Sequence, residues 1–170
     1  MLTKEQRDRL IQLTGPIHFH RKVILESPYY SSDPVTFARN IEYARNCFDD
    51  AMSKNEAPYA SHLFLAETKL IGEEFERQKG LQLAFMWMQD AGYVVVYADH
   101  GLSVGMIDGI SMALHYDKNV FFRMKLTGTW AQTQQDLLSK LPSRASLGVS
   151  RYNIELLPEG DHSLLCLRAR

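Results

Sequence analysis

The chain has 170 residues, of which 45% are hydrophobic and 23% are charged, and its 19 Lys+Arg against 20 Asp+Glu leave a net charge of −1. These proportions are typical of a globular protein and exclude a disordered, collagen-like or coiled-coil chain. The length predicts a single domain with a full hydrophobic core. A near-neutral charge disfavours nucleic acid as a partner, because nucleic-acid binders usually carry a clear basic excess.

The sequence contains no signal for a membrane or for export. No apolar run approaches the roughly 18 residues that a membrane span requires, and the polar start MLTKEQRDRL does not resemble a signal peptide. The two cysteines, Cys47 and Cys166, lie far apart in the chain. We therefore expect no disulfide framework, two buried thiols and a cytoplasmic location.

Helix and strand patterns alternate over the first 125 residues. They predict helices over residues 1–14, 34–53, 68–89 and 104–115, and strands over residues 22–26, 58–65, 93–97 and 119–122, the second of which runs into a loop. Asp33 followed by Pro34 is a strong helix start, because Asp caps free N–H groups and Pro is favoured in the first turn. The YVVVY run at 93–97 lacks alternation, which is typical of a central parallel strand.

Two of these helices carry a burial expectation. In the helix over 34–53, apolar residues recur at three- and four-residue steps and form one apolar stripe, as on a helix that turns one side toward a core; its members are Phe37, Ile41, Ala44, Phe48 and Met52. In the helix over 68–89, the segment LQLAFMWM is apolar nearly all round and predicts deep burial of that half.

This alternation predicts an α/β fold of the flavodoxin or Rossmann type, an open parallel sheet with helices on both faces. Residues 1–125 would form this unit, and residues 126–170 would form a C-terminal appendage of the same domain. The appendage is predicted as a helix over 127–141 and a β-hairpin with its turn at 158–161. The hairpin either extends the sheet or builds an oligomer interface.

Two loops lie where such sheets bind ligands, at the carboxyl ends of the strands. They are SPYYSSDP at 27–34 and ADHGLSVG at 98–105. Each opens a helix, and helix N-termini bind phosphate or carboxylate. Small residues at these turns, which would hold a phosphate or ribose, are Ser31, Ser32, Ser103 and Gly105. Plain helix capping explains the same residues without a ligand.

The common nucleotide signatures are missing. The chain has no GxxxxGK[ST] phosphate loop and no GxGxxG, and Gly101, Gly105 and Gly109 are spaced by four. Because both motifs are missing, the sequence disfavours ATP hydrolysis and NAD chemistry.

Residues 22–123 resemble the nucleoside 2-deoxyribosyltransferase superfamily, and among its members a compact phage and bacterial branch related to deoxynucleoside 5′-monophosphate N-glycosidases. The elements that carry the resemblance occur in the family's order. They are Ser27-Pro28-Tyr29, then Asn40 with Ala44-Arg45, then Pro58 with His62-Leu63, and Ser103 with Gly105-Met106.

This resemblance implies a pocket for a nucleoside or deoxynucleoside 5′-monophosphate. It implies cleavage of the N-glycosidic bond, with transfer of the deoxyribosyl group to another base or to water. It also implies a homodimer or larger homo-oligomer with sites completed across subunits, and no metal or organic cofactor.

The chemistry requires a carboxylate, because breaking the C1′–N bond builds positive charge on the sugar. In the family this group is a Glu four residues beyond the Gly of S-x-G, and here that position is Gly109. Asp108 and Glu26 are the candidates to replace it. Asp108 also has the simpler role of a first-turn acid, and Glu26 that of a partly exposed strand end.

Other candidates for substrate contacts are Tyr29, Tyr30, Asp33 and Asp99 in the two loops, Met106 just after the second loop, and His62 at the predicted end of the second strand. For Tyr29 and Tyr30 the alternatives are stacking on a base and packing under the adjacent helix. Asp33 is explained by capping, and His62 by a structural hydrogen bond. His18 and His20 would share one face of a strand, but no further ligand lies nearby, so we predict no metal site.

Three functions remain open. The first is a carboxylate-dependent deoxyribosyltransferase or N-glycosidase. The second is an inactive relative that binds or sequesters a nucleotide or a nucleotide-derived signal, an interpretation that Gly109 favours. The third is an assembly role carried by the hairpin.

Overall fold

The computed structural model describes residues 3–14, 21–66, 74–124, 128–149 and 152–168. Its helices are α1 (Lys4–Thr14), α2 (Pro34–Ser53), α3 (Ser61–Ala66), α4 (Glu74–Asp90), α5 (Val104–His115) and α6 (Trp130–Lys140). Its strands are β1 (Arg21–Glu26), β2 (Glu56–Tyr59), β3 (Tyr93–Tyr97), β4 (Val120–Arg123), β5 (Asn153–Leu156) and β6 (Leu165–Arg168). The predicted α/β class is therefore confirmed.

The strands form one mixed sheet in the order β2-β1-β3-β4-β6-β5. Strands β1 to β4 are parallel to one another, as predicted. The C-terminal hairpin adds β6 and β5 antiparallel to the outer side of β4. Of the two roles predicted for the hairpin, the structure shows the extension of the sheet.

Both faces of the central strands are covered, which explains why the β1 and β3 sequences lack alternation. Val23, Leu25 and Val95 pack with Cys47 and Ala51 of α2 on one face. On the other face, a larger cluster joins side chains of β1, β3 and β4 with α4 and α5; its central members are Ile24, Val94, Val96, Phe122, Met88, Met106 and Ile110. Cys47 and Cys166 are buried and are not joined in a disulfide, as expected.

Helix α6 is joined to the hairpin by side-chain hydrogen bonds to its backbone. The Nε1–H of Trp130 donates to the carbonyl of Leu157 at 3.0 Å. The side-chain amide of Gln134 donates to the carbonyls of Leu157 and Leu164 at 2.7 and 2.6 Å. These hydrogen bonds satisfy backbone carbonyls that lie just beyond the strands, on the side of the hairpin turn.

The predicted strand over 58–65 is wrong in its second half. Strand β2 ends at Tyr59, and α3 begins at Ser61. The backbone N–H groups of Leu63 and Phe64 donate to the carbonyl of Ala60, at 3.1 and 3.2 Å, and so start a helical turn. A short apolar run favours helix and strand almost equally, and the helical hydrogen bonds decide here. The helix predicted over 68–89 begins at Glu74 among the described residues.

The deep burial expected of the second half of α4 is also corrected. Along α4, Ala84 and Met88 are buried, whereas Leu83, Met86 and Trp87 are exposed, because only one side of the helix faces the sheet.

Along α2, the residues that reach full burial are Asn40, Ala44, Cys47 and Ala51. Of the predicted apolar stripe, Ala44 is buried, Phe37, Ile41 and Phe48 are half-buried, and Met52 is exposed. Small side chains bring the helix axis close to the sheet, and the larger ones lie at its margins. No helix among the described residues is long and apolar enough to cross a bilayer.

Candidate active site

The carboxyl ends of β1 and β3 lie side by side, with Glu26 in register with Val96. From β1 the chain crosses to β2 on one side, and from β3 it crosses to β4 on the other side. This divergence is a topological switch point, where open α/β sheets form a crevice for ligands. The two loops singled out in the sequence, 27–34 and 98–105, therefore meet at the edge where a ligand site is expected.

Glu26 ends β1 at this crevice, and its carboxyl group lies against the backbone of α5. A methyl group on Gly109 would place its carbon 2.5 Å from Oε1 and 2.7 Å from Cδ of Glu26. Such distances are far below van der Waals contact, so the carboxyl group occupies the space that a side chain at 109 would need. The Glu26 carboxyl group thus lies beside position 109, where the sequence analysis expected a Glu and found Gly.

The surroundings of Glu26 favour its protonated form. Burial raises the pKa of Glu26 to about 8, and the negative charge of Asp108 contributes in the same direction. Glu26 is therefore mostly a neutral acid near pH 7. Asp108 lies on α5 next to Gly109, with an exposed side chain. The structure thus brings the two predicted carboxyl groups, Glu26 and Asp108, into electrostatic contact.

The small and acidic residues at the two helix starts act as caps. Ser103 accepts a hydrogen bond from the backbone N–H of Met106 at 3.3 Å. Asp33 accepts from the backbone N–H of Thr36 at 2.9 Å and from its hydroxyl at 2.6 Å. These two hydrogen bonds lower the pKa of Asp33. The capping explanation of Ser103 and Asp33 is confirmed, and ligand contact by either residue stays a prediction.

The two tyrosines of the first loop have different environments. The ring of Tyr29 packs edge-on against Phe37 at 5.4 Å and lies 5.7 Å from the ring of His62. Its hydroxyl is buried without a hydrogen-bond partner, and its carbonyl accepts from the side chain of Asn40 at 3.0 Å. Tyr30, by contrast, is 72% exposed. Tyr29 therefore packs under α2, whereas Tyr30 is free to meet a ligand.

His62 forms a buried hydrogen bond with Ser27, with 2.9 Å between Nε2 and the hydroxyl oxygen. The sequence had suggested that His62 ends a strand, but in the structure it lies in α3. Burial lowers the pKa of His62 to about 4, so the imidazole is neutral near pH 7. These features are those of the structural hydrogen bond that the sequence analysis gave as the alternative to substrate contact.

Asp99 is held in the second loop by a residue that the sequence analysis did not single out. The hydroxyl of Tyr43, on α2, donates to Asp99 at 2.5 Å, and the Tyr43 ring lies 4.5 Å from that of His100. Burial and the bond to Asp99 raise the pKa of Tyr43. The local sequence around Tyr43 does not predict this contact, because the contact joins residues that are 56 positions apart.

The remaining predicted contacts divide between the open edge and the core. Ser32 and Gly105 are exposed and Ser31 is half-buried, so all three remain accessible at the loops. Met106 is 1% exposed and belongs to the core, so its side chain does not line the open edge. His18 and His20 lie outside the described residues. Within the described ranges, no three His, Cys, Asp or Glu side chains are grouped as metal ligands.

The fold is that of an α/β protein, and two carboxyl groups, those of Glu26 and Asp108, lie at the switch point of its sheet. Residues 21–123 match the family model described as a domain of unknown function (DUF7768), and the chain belongs to this family. The matched segment runs from the first residue of β1 to the last residue of β4. No curated protein sequence matches the chain.

Among solved structures, the chain is similar to a 2-deoxyribosyltransferase from the psychrotolerant bacterium Bacillus psychrosaccharolyticus. The identity is 10% and the TM-score is 0.49, and the superposition covers 78% of this chain and 99% of the other. A similarity of this degree assigns no activity to the present chain.

Proposed function

We propose that the protein cleaves the N-glycosidic bond of a nucleoside or deoxynucleoside 5′-monophosphate through a carboxyl group, and passes the deoxyribosyl group to another base or to water. The observation that carries this proposal is the Glu26 carboxyl group, held against Gly109 at the switch point and beside Asp108. The resemblance of residues 22–123 to the nucleoside 2-deoxyribosyltransferase superfamily supports the choice of substrate.

Two carboxyl groups suit this reaction for a physical reason. Loss of the base leaves positive charge on the sugar, which a negative carboxylate stabilises. The base leaves more easily when an acid protonates it. A pair in which one group holds a proton near pH 7 and the other bears a negative charge can supply both functions.

The surrounding loops supply further contacts in this proposal. Tyr30 offers an exposed ring to a base, and aromatic rings stack well on planar heterocycles. Ser31, Ser32 and Gly105 lie at or near two helix starts, where a 5′-phosphate would be favoured. We further expect a homo-oligomer, and activity without a metal or organic cofactor.

The test is release of free base, followed by chromatography after incubation with deoxynucleosides and with their 5′-monophosphates, in a buffer containing a chelator. Glu26→Gln and Asp108→Asn keep the side-chain shape and remove the carboxyl chemistry, so each should lower kcat/KM by about 100-fold or more. Glu159→Gln, in the exposed hairpin turn, is the matched control and should leave the rate unchanged.

The same samples test the rival functions. A nucleotide that raises the melting temperature and is recovered intact would indicate a binding protein, because a ligand specific for the native state stabilises it. If no nucleoside or nucleotide is cleaved or shifts the melting temperature, the proposal is wrong and an assembly role remains.

A further inference from the structure

Two glycines of α5 stand one helical turn apart and have opposite surroundings. A methyl group at Gly105 would meet no atom within 4 Å beyond its chain neighbours and the adjacent helix backbone, whereas one at Gly109 would collide with the carboxyl group of Glu26. Glycine weakens a helix interior, because it gives up more backbone freedom than any other residue. At position 109 the close approach of Glu26 supplies a reason for that weakness.

We propose that Gly109 is a positioning residue whose missing side chain holds the Glu26 carboxyl group against α5, and that Glu26 donates the proton to the leaving base from this position. The inference rests on the proposed function for its second half. Its first half concerns the geometry of the folded protein and can be tested without any substrate.

The position assigns Glu26 the role of the acid. Glu26 is half-buried at the end of β1, between the buried residues Leu25 and Ser27, and its carboxyl group faces the helix backbone. Burial disfavours the charged form of a carboxyl group, and the negative charge of Asp108 disfavours it further. A carboxyl group displaced toward solvent would lose the first of these effects, so the contact with Gly109 and the protonation state of Glu26 are linked.

The proton and electron balance of the step is complete. As the C1′–N bond breaks, its electron pair stays with the base, and the Glu26 proton moves to a nitrogen or oxygen of that base. The sugar is left with positive charge at C1′, which faces the negative charge of Asp108. Water or a second base then bonds to C1′, and its displaced proton returns to the Glu26 carboxylate. The cycle ends with the acid restored and needs no oxidant, reductant or other co-reactant.

Gly109→Ala tests the inference, and Gly105→Ala in the same helix is the matched control for the titration of Glu26 alone. The atoms that the added methyl group would meet are the far end of a flexible side chain, so we expect the variant to fold with the carboxyl group pushed outward. Carbon NMR of labelled glutamate, with Glu26→Gln to assign the signal, reports the titration of Glu26. We expect its pKa to fall by about one unit or more in Gly109→Ala and to stay unchanged in Gly105→Ala.

Activity gives the second readout. Gly109→Ala should lower kcat by about 10-fold or more with little change in KM, because it misplaces the acid without removing a binding contact. An unchanged Glu26 titration in Gly109→Ala would overturn the positioning role. A shifted titration with an unchanged kcat would overturn the role of Glu26 as acid.

A third variant covers the case in which Gly109→Ala destabilises the protein. Adding Glu26→Ala to that variant removes the colliding group, so it should restore the melting temperature if the contact is real. No restoration would contradict the proposed contact. If the wild type cleaves no nucleoside, the function proposed above fails, while the titration and melting experiments still decide the positioning role.

Discussion

The buried ion pair between Arg123 and Glu56 provides a sharp test of the structure. Arg123 donates to both carboxylate oxygens of Glu56, at 2.9 and 2.7 Å, and to the hydroxyl of Tyr97 at 3.0 Å. The hydroxyl of Tyr93 also donates to Glu56. The side chains of the ion pair are only 7% and 6% exposed. We predict that Glu56→Gln destabilises the protein strongly.

The magnitude follows from what the amide leaves behind. Gln keeps one oxygen as an acceptor, but its NH₂ group faces a guanidinium N–H, and the buried positive charge loses its counter-ion. Removing one partner of a buried pair costs about 3–5 kcal/mol. For a chain of this length, that corresponds to a melting temperature lower by about 6–20 °C.

Urea unfolding at pH 7 measures this loss, provided that the m-value is unchanged. Glu155→Gln is the control, because Glu155 pairs with Arg168 at 2.5 Å with 47% and 39% of the two side chains exposed. An exposed pair contributes about 0.2–1 kcal/mol, so this variant should lie near the wild type. A Glu56→Gln variant as stable as the control would refute the buried pair.

Two further predictions concern the dependence of stability on pH. Burial raises the pKa of Glu26 to about 8 in the native state, from 4.5 ordinarily. Between these two pH values the native state therefore holds one proton more than the unfolded state. The free energy of unfolding should therefore fall as the pH rises from 4.5 to 8, by at most about 1.4 kcal/mol per unit, and urea titrations of Glu26→Gln should show a flatter slope over this range. Burial lowers the pKa of His62 to about 4, from 6.5 ordinarily. The contribution of His62 to the free energy of unfolding is therefore complete above pH 6.5 and is lost as the pH falls toward 4. His62→Gln should flatten the acid side of the same curve, and an acid limb identical to that of the wild type would contradict the buried neutral imidazole.

Local signals in the sequence predicted most of the sheet and its crossovers. Asp33-Pro34 and Ser103 marked the starts of α2 and α5, because caps and first-turn residues act through adjacent backbone groups. The β-branched run of 93–97 marked β3, because only a doubly covered strand lacks alternation. By contrast, the strand predicted over 58–65 changed to helix after Tyr59, where the sequence pattern suits both states.

The candidate site was likewise predicted only in part from the sequence. The sequence by itself predicted Glu26 and Asp108 as the candidate carboxyl groups, and it determined that Glu26 ends a strand and that Asp108 follows a helix start at the same edge of a parallel sheet. Only the tertiary structure decided that Glu26 takes the space beside Gly109, that Tyr43 holds Asp99, and that Met106 turns into the core. The physical reason is that these contacts depend on how α2 and α5 lie across the sheet. Such packing brings together residues tens of positions apart, whereas the sequence pattern reports only the face and the ends of each element.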